Sequence, residues 1–95
     1  IYESTDIDVW FNVLDGLPAS GIYLRNASQN RIAGNRITSS GAAGLLVDAG
    51  SRNNLILVNE LRGNATFDAH EESPGANWWL LNDCVTDNPA GTICR

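Results

Sequence analysis

The side chains of this 95-residue chain that could carry out chemistry are few. Asp48, Asp68, Glu71 and Glu72 offer the hard carboxylate oxygens that calcium takes. No EF-hand loop or nonapeptide repeat spaces them, however, and they read as a solvated acidic turn. Cys84 and Cys94 lack the CxxC spacing and the extra ligands of a redox or zinc centre. Arg25, Asp48 and His70 can be stacked into a column of alternating charge. Such a column is equally a cross-strand ladder of solvated ion pairs, each worth well under ~1 kcal/mol. No metal or organic cofactor is implied.

What must position these groups is a repeat. Asn12, Asn35, Asn59 and Asn82 are separated by 23, 24 and 23 residues, and a second column, Asn30, Asn54 and Asn77, runs five residues ahead of the last three. An apolar residue stands three before each member of the first column (Val9, Ile32, Ile56, Trp79) and another two after it (Leu14, Ile37, Leu61, Cys84). A chain that returns to the same side-chain type at this interval stacks one structural unit on the next. A leucine-rich repeat would need leucine where this chain has Ile7, Asn30, Asn54 and Asn77, so that architecture fails.

The stretches Gly21-Ile22-Tyr23-Leu24 and Asn30-Arg31-Ile32-Ala33-Gly34-Asn35-Arg36-Ile37 resemble the PbH1 repeats of the secreted pectate-lyase-like family. So do their echoes Gly44-Leu45-Leu46-Val47 and Asn54-Leu55-Ile56-Leu57-Val58-Asn59-Glu60-Leu61. The resemblance covers nearly the whole chain and implies an all-β right-handed parallel β-helix, a solenoid of about 3.5 rungs. At a strand spacing of ~4.8 Å such a stack is only ~15–20 Å tall. The asparagines are expected to take the left-handed corner conformation between strands and to hydrogen-bond from rung to rung as a structural ladder.

One domain spans residues 1–95. It divides into a partial first rung (1–20), rungs at 21–43 and 44–64, a last rung at 65–83 and a C-terminal cap at 84–95. The chain enters the repeat halfway through a rung, so a longer protein, or another molecule covering the open end, is expected to complete it. The net charge is −5, and the six basic residues are all arginine, scattered singly, which argues against nucleic acid. No apolar run reaches membrane-spanning length.

Alternation places Ile22 and Leu24, Leu45 and Val47, and Phe67 and Ala69 inward. Tyr23 and Arg25, Leu46 and Asp48, and Asp68 and His70 then point outward. The segment Phe67-Asp68-Ala69-His70-Glu71 is similar to the Asp-Pro-His-Glu motif of alginate C5-epimerases. That resemblance implies proton transfer at a sugar carbon by Asp68 and His70. Here Ala69 replaces the proline, and Ala65 stands where a tyrosine is expected, which removes a proton-transfer group. Tyr23 shares the face but lies two rungs away, ~10 Å by strand spacing. Asp68, His70, Arg25, Asp48 and Tyr23 are therefore weak catalytic candidates.

Outward apolar positions recur in Trp10, Ala33, Leu57 and Leu80, with Leu55 and Trp78 in the same strands. They form a stripe of the kind that marks a contact surface, unless the register slips by one and they are core. Asn26-Ala27-Ser28 and Asn64-Ala65-Thr66 match the glycosylation acceptor. Cys84 stands at a core position, and a bond to Cys94 would fold the tail over the last rung. Two buried thiols are the alternative.

Together these features favour a non-catalytic, secreted or extracellular β-helix module with a structural or self-assembly role. Its partners would be other copies or the upstream part of a longer β-helix. The alternative is the C-terminal part of a secreted protein that binds or processes polysaccharide, with a lyase-like or epimerase-like activity.

Overall fold

The computed structural model describes residues 1–73 and 75–94, and within them the chain forms short β-strands and no helix. The first winding holds β1 (Asp8–Trp10), β2 (Val13–Asp15) and β3 (Ile22–Leu24). The second holds β4 (Arg31–Ala33), β5 (Arg36–Thr38) and β6 (Leu45–Val47). The third holds β7 (Leu55–Leu57), β8 (Glu60–Arg62) and β9 (Ala69–Glu71), and the fourth β10 (Trp78–Leu80), β11 (Asp83–Cys84) and β12 (Asp87–Asn88). Equivalent strands of successive windings pair in parallel, giving three four-stranded sheets: β1-β4-β7-β10, β2-β5-β8-β11 and β3-β6-β9-β12. The fold is a parallel β-helix, as the repeat implies.

The two-residue corners between first and second strands keep the strands short. Residues Phe11, Gly34, Val58 and Leu81, each just before a ladder asparagine, carry positive φ values of 56°, 68°, 49° and 57°. This corrects the corner reading: Asn12, Asn35, Asn59 and Asn82 are not the left-handed residues. Their predecessors turn the chain, which leaves each asparagine free to aim its amide along the solenoid axis. Val58 carries the most strain, because a β-branched side chain is poorly tolerated at positive φ.

One inward residue per strand builds the core in the first two sheets, and two per strand in the third. Val9, Ile32, Ile56 and Trp79 stack in one column and Leu14, Ile37, Leu61 and Cys84 in the next. Ile22, Leu45 and Ala69 form a third column, and Leu24 and Val47 continue into Glu71. Ile32, Ile37, Leu45, Ile56 and Leu61 are fully buried, each contributing ~1.5–3 kcal/mol by removal from water. Gly21 leads into β3 because nothing larger fits: a Cβ there would meet Ile37 at 2.3 Å.

The winding runs past Asn82. β11 and β12 add a layer to the second and third sheets, and the segment beyond brings Ile93 into the core cluster. Cys84 and Cys94 are bonded, their Cα atoms 5.0 Å apart.

Candidate functional site

The asparagine columns are polar wires with a direction. Asn12 donates its backbone N–H and Nδ2 to Asn35 Oδ1 at 3.0 and 3.1 Å. Asn35 does the same to Asn59 at 2.9 and 3.0 Å, and Asn59 to Asn82 at 3.1 and 2.9 Å. The second amide hydrogen of Asn35, Asn59 and Asn82 returns to the carbonyls of Val9, Ile32 and Ile56. Asn35 and Asn59 thus use both amide hydrogens and the carbonyl although they are buried, as burial of an amide requires. The column of Asn30, Asn54 and Asn77 follows the same rule.

At the C-terminal end a column needs an acceptor; a carboxylate supplies it to Asn77, whereas Asn82, the last of the longest column, donates to the Ile56 carbonyl. Glu71 Oε1 accepts from Asn77 Nδ2 at 2.7 Å, and its other oxygen accepts the Trp79 indole N–H at 3.1 Å. A third column escaped the sequence reading: Ser40 N–H donates to Asn64 Oδ1, and Asn64 donates its N–H and Nδ2 to Asp68 Oδ1. Its signal was the 24-residue interval from Ser40 to Asn64. Asp68 Oδ2 accepts the N–H groups of Val85 and Thr86. Asp87 accepts from Gly91, Ile93 and Cys94, tying the tail down beside the disulfide.

These roles revise the candidate chemistry. Asp68 is not on an outward strand face but is 2% exposed in a turn, with both oxygens taken. Phe67 is not the equivalent of Ile22. β9 begins at Ala69, so Ala69 and Glu71 point inward and His70 outward. His70 therefore stacks over Leu46 and Tyr23, while Arg25 and Asp48 lie outside that column. The stack of Arg25, Asp48 and His70 does not form. Arg25 instead lies over the Tyr2 ring, 5.2 Å from its centre. Asp48 accepts from Asn26 N–H, Gly50 N–H and the Ser51 hydroxyl. His70 Nε2 is 3.2 Å from the Asn88 amide nitrogen, and its ring meets Phe67 edge-on. Asp68 and His70 are thus two residues apart in sequence but face different surroundings. Glu72 is exposed. Asn64 is spent in its column instead of standing free as a glycosylation acceptor, whereas Asn26 is exposed.

Hydrogen bonding sets the electrostatics of the turns. Burial pushes the carboxyls of Asp48, Asp68 and Asp87 up, but the donors around each outweigh it and leave all three below the ordinary carboxylate range. Asn26 and Ser51 dominate for Asp48, Asn64 for Asp68, and the N–H groups of Cys94 and Ile93 for Asp87. Among the described residues no three His, Cys, Asp or Glu side chains come together as a metal cluster.

The two ends of the solenoid differ. The C-terminal layer carries Asp87, the buried Ile93 and the disulfide, and it packs on the carboxylate acceptors Glu71 and Asp68 of the third winding. The N-terminal layer is open: β1 and β2 each pair on one side only, and no described group donates to Asn12 Oδ1. Across the sheet β1-β4-β7-β10 the outward register holds, with Trp10, Trp78 and Leu80 more than half exposed and Leu55, Ala33 and Leu57 partly so. The exposed corner residues Phe11, Val58 and Leu81 extend this apolar surface, while Asp8 and Arg31, in register with Leu55 and Trp78, form an ion pair at its N-terminal side.

Compared with curated proteins and with solved structures, the chain gives no significant match. The family model described as "Periplasmic copper-binding protein (NosD)" matches residues 1–91. The likeness to pectate-lyase-type solenoids holds at the level of the fold. On a match that runs through every rung, the chain belongs to the NosD family.

Proposed function

We propose that this chain is a non-catalytic structural module that assembles through its N-terminal strand edges, with the apolar face of β1, β4, β7 and β10 as a second contact surface. It works outside the cytoplasm, since the family is periplasmic and the Cys84–Cys94 bond belongs to an oxidising compartment. The observation that carries the proposal is the difference between the ends. Carboxylates, a buried isoleucine and a disulfide close one end, while at the other β1 and β2 have one partner strand each, and Asn12 Oδ1 no donor, among the described residues. An unpaired strand edge is a template for another strand. A rung laid on this one would give Asn12 Oδ1 the two donors that Asn12 itself gives Asn35. The occupant we favour is a second copy of the chain.

Polysaccharide processing has less behind it. Asp68 is committed to a turn, and His70 has Tyr23, Leu46 and Asn88 as column and hydrogen-bond neighbours instead of a second acid or base. The copper in the family's description does not enter the proposal, because the donors present do not fit it: one histidine, no methionine and two cysteines bonded to each other.

Sedimentation velocity over a wide concentration range tests the assembly. The purified 95-residue chain should associate as concentration rises. Val13→Pro, which blocks the free edge of β2, should shift the distribution toward monomer without altering the circular dichroism. A chain that stays monomeric throughout would overturn the proposal.

A further inference from the structure

We infer that this module, in its disulfide form, contains no copper site, so that any copper held by a protein containing it is held by donors outside residues 1–95. Copper(I) selects thiolate and thioether sulfur, and copper(II) suits imidazole and oxygen donors in a tetragonal set. The chain has no methionine, and its two cysteine sulfurs are bonded to each other.

The single imidazole, His70, lies against the Asn88 amide and the Phe67 ring, and the strand positions stacked below it belong to Leu46 and Tyr23. None of these four neighbours is a strong copper ligand. The buried carboxylates of Asp68, Asp87 and Glu71, and the partly exposed one of Asp48, are already spoken for. Asp48, Asp68 and Asp87 hold turns through backbone N–H groups, and Glu71 closes an asparagine column and the Trp79 indole. Moving Asp68, Asp87 or Glu71 onto a metal would leave buried donors without an acceptor, which costs ~1–3 kcal/mol for each group. Among the exposed acids, Asp8, Glu60 and Asp83 face Arg31, Arg36 and Arg62. A cation next to each of these carboxylates opposes recruiting it to a second cation. Nowhere among the described residues does a third His, Cys, Asp or Glu complete a set.

The test uses the intact chain, its disulfide verified by mass and its fold by circular dichroism. It is equilibrated separately with copper(II) and, without oxygen, with copper(I), desalted over a weak chelator and assayed for metal, while His70 is followed by NMR. Copper is expected to elute at background, with no saturable change at His70. One equivalent retained per disulfide-bonded chain would overturn the inference, as would broadening around His70 that saturates at one equivalent of copper(II). A parallel sample is first treated with an excess dithiol, which gives up two electrons and two protons to the Cys84–Cys94 bond and is itself oxidised to a disulfide. Copper(I) retained only after that treatment, and lost in Cys94→Ser, supports the inference. It would place the metal on the sulfurs that the native fold withholds.

Discussion

Within an asparagine column, position decides what one side chain contributes. Asn59 is buried, accepts from the backbone and amide of Asn35, and donates to Asn82 and to the Ile32 carbonyl. Truncating it strands the two Asn35 donors on one side and takes a donor from Asn82 Oδ1 and the Ile32 carbonyl on the other, all in a dry interior. Asn59→Ala should therefore cost ~3 kcal/mol or more, at ~1–3 kcal/mol for each buried group left unpaired. Asn12 is exposed at the open end, where water replaces what is lost, so Asn12→Ala should cost ~1 kcal/mol or less. Urea denaturation of the two variants measures the contrast, and equal losses would mean that the columns are ordinary surface polarity. The columns were legible because one residue type returned at one interval. Their direction was not, since sequence spacing carries no information about which amide donates. Nor was the left-handed corner: Phe11, Val58 and Leu81 occupy it against their own preference, because rung-to-rung bonds such as Phe11 N–H to the Ala33 carbonyl and Val58 N–H to the Leu80 carbonyl, with the asparagine column beside them, override the local cost.

At the scale of the element, the turns depend on three aspartates, two of which, Asp48 and Asp68, the sequence presents as possible chemistry. Nothing in the spacing of Asp48, Asp68 and Asp87 distinguishes an acid waiting for a ligand from an acceptor closing a turn. The distinction lies in which N–H groups the fold aims at them. Cys84 and Cys94 were easier to read, since one sits at a core position of the repeat and the other in the segment that follows. The folded-state pKa of each of the three aspartates lies below its unfolded value. The stability they confer is therefore full above the unfolded carboxyl pKa of ~3.9 and is lost as the pH falls from there through the depressed folded values. Urea midpoints should stay level from neutral pH down to about pH 4.5 and drop steeply below about pH 4. Asp68→Asn keeps one oxygen for Asn64 but offers no second acceptor to both Val85 and Thr86. It should be less stable at neutral pH and show a shallower acid limb. An acid limb as steep as that of the unaltered chain would mean that Asp68 is not one of the groups responsible.

For the whole molecule, a solenoid is nearly one-dimensional: each winding touches only the windings beside it, so stability depends on how many neighbours a winding has and how its end is closed. The second and third windings have neighbours on both sides, and their inward residues are fully buried. The fourth has one neighbour but adds the disulfide, Ile93 and the acceptor Asp87, and Asp68 and Glu71 of the third winding accept its Val85, Thr86 and Trp79 N–H groups. The first has one neighbour and none of these devices, and its inward residues Val9 and Leu14 are only partly buried. Local opening should therefore start at β1 and β2 and not at both ends. In dilute solution, native-state amide exchange in these two strands should run roughly a hundredfold faster than in β4, β5, β7 and β8, with β11 closer to the centre than to β1. Raising the protein concentration should slow exchange in β1 and β2 selectively, because an edge covered by another copy acquires the second neighbour it lacks. Uniform exchange across all four windings would mean that the solenoid opens as a single unit. Concentration-independent exchange in β1 and β2 would mean that the open edge is not where copies meet.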